Sequence, residues 1–243
     1  MPNANIAPAQ LRAVIFDLDG TLYRQAPIRR EMAFLLLREA VTGSMGFPPV
    51  RAIRVLYTFR RIREGMRELP PGSGLESLQY IKTAEATGTK EGFVRDVVKA
   101  FIHDKPLPLL SRLADSSVSA ALAKLKGMGY RLGVYSDYPA VKKLEALGLG
   151  GLFDIVADSE MPEIDVFKPN PRGFLYAAEM LGAKPSEALY VGDRVRVDME
   201  GAVRAGMPCA LVTWADTTSV PGAKYMLVKD PATLAAILER TRV

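Results

Sequence analysis

Six polar side chains concentrate the chemistry of this 243-residue sequence. Two are the aspartates of Asp17-Leu18-Asp19-Gly20-Thr21. The others are Ser136 before Asp137, Lys168 before Pro169, and Asp193 and Asp198, which follow Gly192. Carboxylates, a hydroxyl and a lysine are the parts that displacement at phosphorus requires: a nucleophile, a proton donor for the departing oxygen, and positive charge against the anionic oxygens. Carboxylate oxygens are also the hard ligands that magnesium prefers. Each residue alone is ordinary, since a serine or aspartate after a strand often only shapes a turn. Their value depends on whether the chain brings them together.

The elements that must do so are legible from the pattern. Ala13-Val14-Ile15-Phe16 is an apolar run closed by Asp17, with the turn signal Asp19-Gly20 beyond, and reads as a buried strand. From residue 28 the pattern is helical for a long stretch, in pieces near 31–41, 50–69, 75–86 and 91–102, with breakers at 43–49, 70–74, 87–88 and 106–108. After Asp115 short apolar runs alternate with helices. Strands are expected over 130–135, 154–157, 188–191, 209–213 and 225–228, and helices over 117–127, 139–147, 171–181, 195–205 and 231–241. This alternation predicts an α/β fold with a doubly wound, mainly parallel sheet from residues 11–23 and 113–243, and an inserted all-helical domain over 24–112. Open sheets of this kind bind ligands outside the carboxyl ends of their strands. Asp17, Ser136, Asp193 with Asp198, and Lys168 after the run Glu163-Ile164-Asp165-Val166-Phe167 are all expected at such ends, on one rim.

The ordered set DxDGT, a serine, a lysine and GDxxxxD resembles the four motifs of the haloacid dehalogenase superfamily. The likeness covers residues 12–23 and about 116–215, and the helical insertion lies where members with a C1 cap carry theirs. The resemblance implies a Rossmannoid core under a helical cap, and a magnesium-dependent phosphatase working through an aspartyl-phosphate. By the same resemblance Asp17 is the nucleophile and Asp19 the general acid and base, its backbone carbonyl also reaching the metal. A pKa raised by neighbouring carboxylates would suit Asp19 for that work. Ser136 and Lys168 would hold the phosphate. Asp193 would bind Mg2+ together with Asp17, while Asp198 would support the metal site from behind. Dehalogenases and phosphonatases of the superfamily lack an aspartate at the position of Asp19, which favours phosphate monoesters; a phosphomutase, or a binding module that kept the fold, stays open.

Composition bounds the rest. No apolar run reaches 18 residues, so no segment is expected to span a bilayer. The first ten residues carry no signal-peptide pattern, and the lone Cys209 excludes an intrachain disulfide, so a cytoplasmic location is expected. Cys209 reads as a core residue. The net charge is +5, and all of the basic excess lies in residues 22–115, which hold 16 Lys/Arg against 10 Asp/Glu, while the remainder holds 16 against 17. The expected partner is a small phosphorylated metabolite, with no nucleic acid and no membrane; monomer and homodimer are both open. Arg24, the 70–75 loop and the arginines of 51–67 are candidate substrate contacts. His103 is expected at a helix end without a catalytic role, Trp214 to pack against the sheet, and Thr21 to shape its loop.

Overall fold

The structure is a computed structural model that describes residues 10–215 and 225–241. Six strands form one parallel sheet: β1 (Ala13–Phe16), β2 (Arg131–Ser136), β3 (Ile155–Asp158), β4 (Ala188–Gly192), β5 (Cys209–Val212) and β6 (Met226–Val228). Their order is β3-β2-β1-β4-β5-β6. The chain builds outward from β1 to β3, then returns to the other side of β1 with β4. The topological switch therefore falls beside β1, where open α/β sheets leave a crevice for ligands.

Successive side chains of a strand face opposite sides, and both faces here are covered, which is why the strands read as continuous apolar runs. On one face Val14, Phe16, Leu132, Val134, Leu189 and Val191 pack against helices α6 (Ser116–Gly127), α7 (Val141–Ala146) and α10 (Pro231–Arg240). On the other, Ala13, Ile15, Tyr135 and Tyr190 pack against α8 (Arg172–Met180) and α9 (Glu200–Arg204). Cys209 lies in this second layer, as its apolar setting predicts.

Between β1 and α6 the chain holds α1 (Gln25–Thr42), α2 (Pro49–Gly65), α3 (Leu75–Thr87), α4 (Glu91–Val98), a π-helical turn over Lys99–Asp104, and α5 (Leu107–Arg112). Among the described residues no sheet strand interrupts them. They have their own apolar cluster, built from Ala52, Val55 and Phe59 of α2, Tyr80 and Ala84 of α3, and Val94, Val97 and Phe101 beyond. Helix α5 falls where breakers were expected, because Pro108 sits in its first turn, where a proline costs no hydrogen bond.

Two expectations are corrected. The run 163–167 is not a strand: Ile164 and Asp165 both bond back to the Met161 carbonyl in a tight turn. Its apolar side chains are used for packing instead, Ile164 and Val166 under the sheet and Phe167 against Met66 and Leu75. The expected helix over 195–205 begins as a π-helical turn, Val195–Met199, before α9. The core behind that turn is aromatic. Phe174 is fully buried between Tyr135 and Tyr190, with ring centroids 5.1 and 4.5 Å away. Phe174→Ala is expected to cost about 3–5 kcal/mol in urea unfolding; a loss below about 1 kcal/mol would contradict the close-packed layer described.

Candidate active site

The rim at the switch point collects five of the six predicted residues directly from strand ends or the turns beyond them. Asp17 follows β1, Ser136 ends β2, and Asp193 follows β4, with Asp198 one π-turn later. Lys168 arrives from the long connection between β3 and α8, and not from a strand end. Its side chain is 1% exposed, and its Nζ lies 2.6 Å from Asp17 Oδ1 and 3.0 Å from Asp198 Oδ1. Asp17 Oδ2 accepts from the Thr21 hydroxyl at 3.2 Å, so Thr21 does more than shape the loop. Ser136 accepts from the Tyr138 amide at 3.2 Å, which leaves its own O–H free to donate.

The charges are strongly coupled. Burial alone would lower the Lys168 pKa, but the carboxylates of Asp17 and then Asp198 outweigh it and keep the ammonium protonated. For Asp17 burial raises the pKa; Lys168 opposes this, while Asp198 and Asp193 add to it, and the result stands above the ordinary carboxylate range. Asp193 is likewise pushed up to about 6, by burial and then by Asp198.

Asp19 departs from expectation. Burial would raise its pKa, yet Lys143 and then the Tyr23 hydroxyl reverse the sign and the net shift is downward. Lys143 Nζ lies 2.7 and 2.6 Å from the two carboxylate oxygens, and Tyr23 donates at 2.5 Å. The nearest influence on Asp19 is a lysine, which stabilises the ionised form, rather than the neighbouring carboxylates. Lys143 went unnoticed in the sequence because its position in α7, seven residues after Ser136, matters only once the helix folds back over the rim. Tyr23 lies four residues from Asp19, but nothing in its type marks it.

A divalent cation fits the acidic group. Oxygen atoms of Asp17, Asp193 and Asp198 lie within 4.8 Å of one another. Three carboxylates face the single ammonium of Lys168, so their ionised forms leave a local excess of two negative charges. Asp193 Oδ1 is buried without a hydrogen-bond partner, an arrangement that costs free energy unless something coordinates it. Asp198, by contrast, uses both oxygens internally, accepting from Lys168, from the Tyr190 hydroxyl at 3.2 Å and from the Arg194 amide at 3.1 Å. Two glycines make the approach possible. A Cβ on Gly20 would stand 2.1 Å from Asp193 Oδ2, and one on Gly192 would stand 2.4 Å from Asp198 Cβ. Oxygen donors alone, with no nitrogen or sulfur, suit magnesium.

The remaining candidates scatter. Arg24 is exposed and lies over the Trp214 ring at 5.3 Å. Trp214 does pack against the sheet, and its indole N–H also donates to the Gly20 carbonyl at 2.5 Å, bracing the loop that carries Asp19. The 70–75 loop is used in docking: the amides of Gly74 and Leu75 donate to the two oxygens of Asp165 at 2.8 and 2.6 Å. Arg63 of α2 is buried against Gln79, Glu160 and the Asp137 carbonyl. His103 sits in the π-helical turn, half-buried, and burial lowers its pKa.

A model of the haloacid dehalogenase-like hydrolases matches residues 11–206. The chain belongs to that family. Among curated relatives of this hydrolase, a glyceraldehyde 3-phosphate phosphatase of Methanopyrus kandleri is 35% identical over 200 residues, 81% of this chain and 82% of that one. A glyceraldehyde 3-phosphate phosphatase of Methanocaldococcus jannaschii is 42% identical over 81% of this chain and 82% of its own. A solved phosphatase of the family from Thermococcus onnurineus shares 25% identity, covers 96% of this chain and all of its own, and superposes with a TM-score of 0.62. This hydrolase is a phosphatase-like member of its family.

Because protons and a cation would compete for the raised Asp193 and Asp17, magnesium should raise the melting temperature of this hydrolase at pH 7.5 and raise it less below about pH 6. The sign follows from Asp193, whose folded pKa of about 6 exceeds the unfolded value. Folding gains from its protonation as pH falls through 6, while cation binding is lost there. Differential scanning fluorimetry with and without magnesium at the two pH values checks it; equal shifts at both would contradict the assignment.

Proposed function

We propose that this phosphoric monoester hydrolase is a magnesium-dependent phosphatase that cleaves a small-molecule phosphate ester through an aspartyl-phosphate on Asp17. The observation that carries the proposal is the buried Lys168 ammonium, bonded to Asp17 at 2.6 Å with Asp193 and Asp198 beside it at the switch point of the sheet. An ammonium there both orients the carboxylate and offsets charge on an arriving phosphate.

In the first step an Asp17 oxygen attacks phosphorus, the bond from phosphorus to the ester oxygen breaks, and Asp19, having parted from Lys143 and taken up a proton from solvent, gives that proton to the departing oxygen. In the second, water attacks the same phosphorus, Asp19 takes its proton, and the Asp17 oxygen departs with its electron pair, releasing inorganic phosphate. Ser136 and Lys168 hold the phosphate oxygens through both steps. Bound magnesium, held by Asp17, Asp193 and the Asp19 carbonyl, would supply positive charge that keeps Asp17 ionised and draws phosphate in. Asp198 holds Lys168 and the turn after Asp193 in place. Asp19 must exchange Lys143 for the ester oxygen before it can serve as acid, since the lysine favours its ionised form.

Residues 24–112 act in this reading as a C1-type cap over a core of 11–23 and 113–243, closing on the substrate and excluding water. The relatives named as glyceraldehyde 3-phosphate phosphatases, and others named as phosphoglycolate phosphatases, direct the search toward short phosphorylated metabolites. A screen of such esters for magnesium-dependent phosphate release tests the proposal. Asp17→Asn should lower turnover on the order of 10⁴-fold or more while leaving the fold intact by circular dichroism. Retained activity in that variant would sink the nucleophile, and isomerised product without free phosphate would point to a mutase.

A further inference from the structure

Arg67, one turn beyond α2, reaches the rim from the helical insertion. Its Nη1 donates to Asp137 Oδ2 at 2.8 Å and to the Lys168 carbonyl at 2.7 Å. Its Nε and Nη2 donate to the two oxygens of Glu64 at 2.7 and 2.8 Å. Four of the five guanidinium N–H groups are thus spent inside the protein, which leaves little of Arg67 for a substrate.

Its acceptors flank the phosphate-binding residues. Asp137 is the neighbour of Ser136, and its other oxygen accepts from the Lys168 amide at 3.2 Å and from the Ser159 hydroxyl at 3.2 Å. The Asp137 carbonyl accepts from Arg63 at 2.5 Å. Burial would raise the Asp137 pKa, but Arg67, ahead of Lys168, brings it below the ordinary range, so a charged bridge holds the loop after β2 to the connection that carries Lys168. That connection has no strand to fix it. It is fastened instead to the insertion, through Glu160 to Arg63, through Asp165 to the amides that open α3, through Phe167 to Met66 and Leu75, and through Lys168 to Arg67.

We propose that Arg67 is a positioning residue: by bridging Asp137 and the Lys168 carbonyl it sets the spacing of Ser136 and Lys168, so that this pair is correctly placed only while the end of α2 is seated on the rim. The inference rests on the phosphatase reading of that pair. Lys168 has a long, flexible side chain, and the place of its backbone decides where its ammonium can act. A misplacement near 1 Å of such a group costs about 10²-fold in rate.

The test uses the full chain with magnesium and p-nitrophenyl phosphate, comparing wild type, Arg67→Ala, Asp137→Asn and the double variant. Arg67→Ala should lower kcat by about 10²-fold with KM little changed. Added guanidinium should restore part of that kcat, where the same concentration of sodium chloride does not. The double variant should be little worse than either single one, since both break one bridge. Asp137→Asn keeps size and shape and carries the test if the alanine variant does not fold. Unchanged kcat, an effect confined to KM, additive losses, or a loss that follows the melting temperature with no guanidinium rescue would each overturn the inference. A wild type without turnover overturns the phosphatase reading and this inference together; turnover in wild type beside an unaffected Arg67→Ala overturns this inference alone.

Discussion

A single buried ammonium organises this protein. Lys168 is sealed from water between Asp17 and Asp198, and taking such a charge out of solvent costs several kcal/mol unless opposite charges and hydrogen bonds meet it. The fold meets that requirement from three chain segments at once: the end of β1, the turn after β4, and the connection before α8. The parallel sheet brings the first two of these segments to one point, and the connection that carries Lys168 is fastened beside them through the helical insertion. The sheet's two apolar faces, closed by helices on both sides, keep that point rigid and partly dry.

The same ammonium is outnumbered. Three carboxylates face it, one of them with an unpartnered buried oxygen, and burial first and then their mutual repulsion raise the pKa values of Asp17 and Asp193. A site left short of positive charge is suited to a cation, and a substrate that brings more negative charge would need that cation in place. Asp19 lies outside this group. Its carboxylate answers to Lys143 and Tyr23, so the two aspartates of one short motif sit in opposite electrostatic environments. Such a division is how neighbouring carboxyl groups come to play different chemical parts.

The helical insertion is joined to the rim chiefly through charge. Arg63 and Arg67 enter among Glu160, Asp137 and the Lys168 carbonyl, and Arg63 also stacks on Tyr138 and Phe167 at 3.8 and 4.3 Å. Part of the basic excess in residues 22–115 is thereby spent inside the protein. Composition could not separate those arginines from the exposed ones, because a helix carries both on neighbouring turns.

Local pattern was enough for the strands, most helices and the family. Apolar runs such as 13–16 and 188–191 are dictated by burial on two faces, and the acidic and serine motifs follow such strands at short range. The sequence by itself therefore singled out Asp17, Asp19, Ser136, Lys168, Asp193 and Asp198, of which the structure draws Asp17, Lys168, Asp193 and Asp198 into one cluster. It misread 163–167 as a strand, because alternating apolar residues serve a packed turn as well as a ladder. Tertiary structure alone decided that Lys143 meets Asp19, that Trp214 braces Gly20, and that Arg67 ties Asp137 to Lys168. Each of these contacts joins residues far apart in the chain, so it exists only once the fold has brought those segments together.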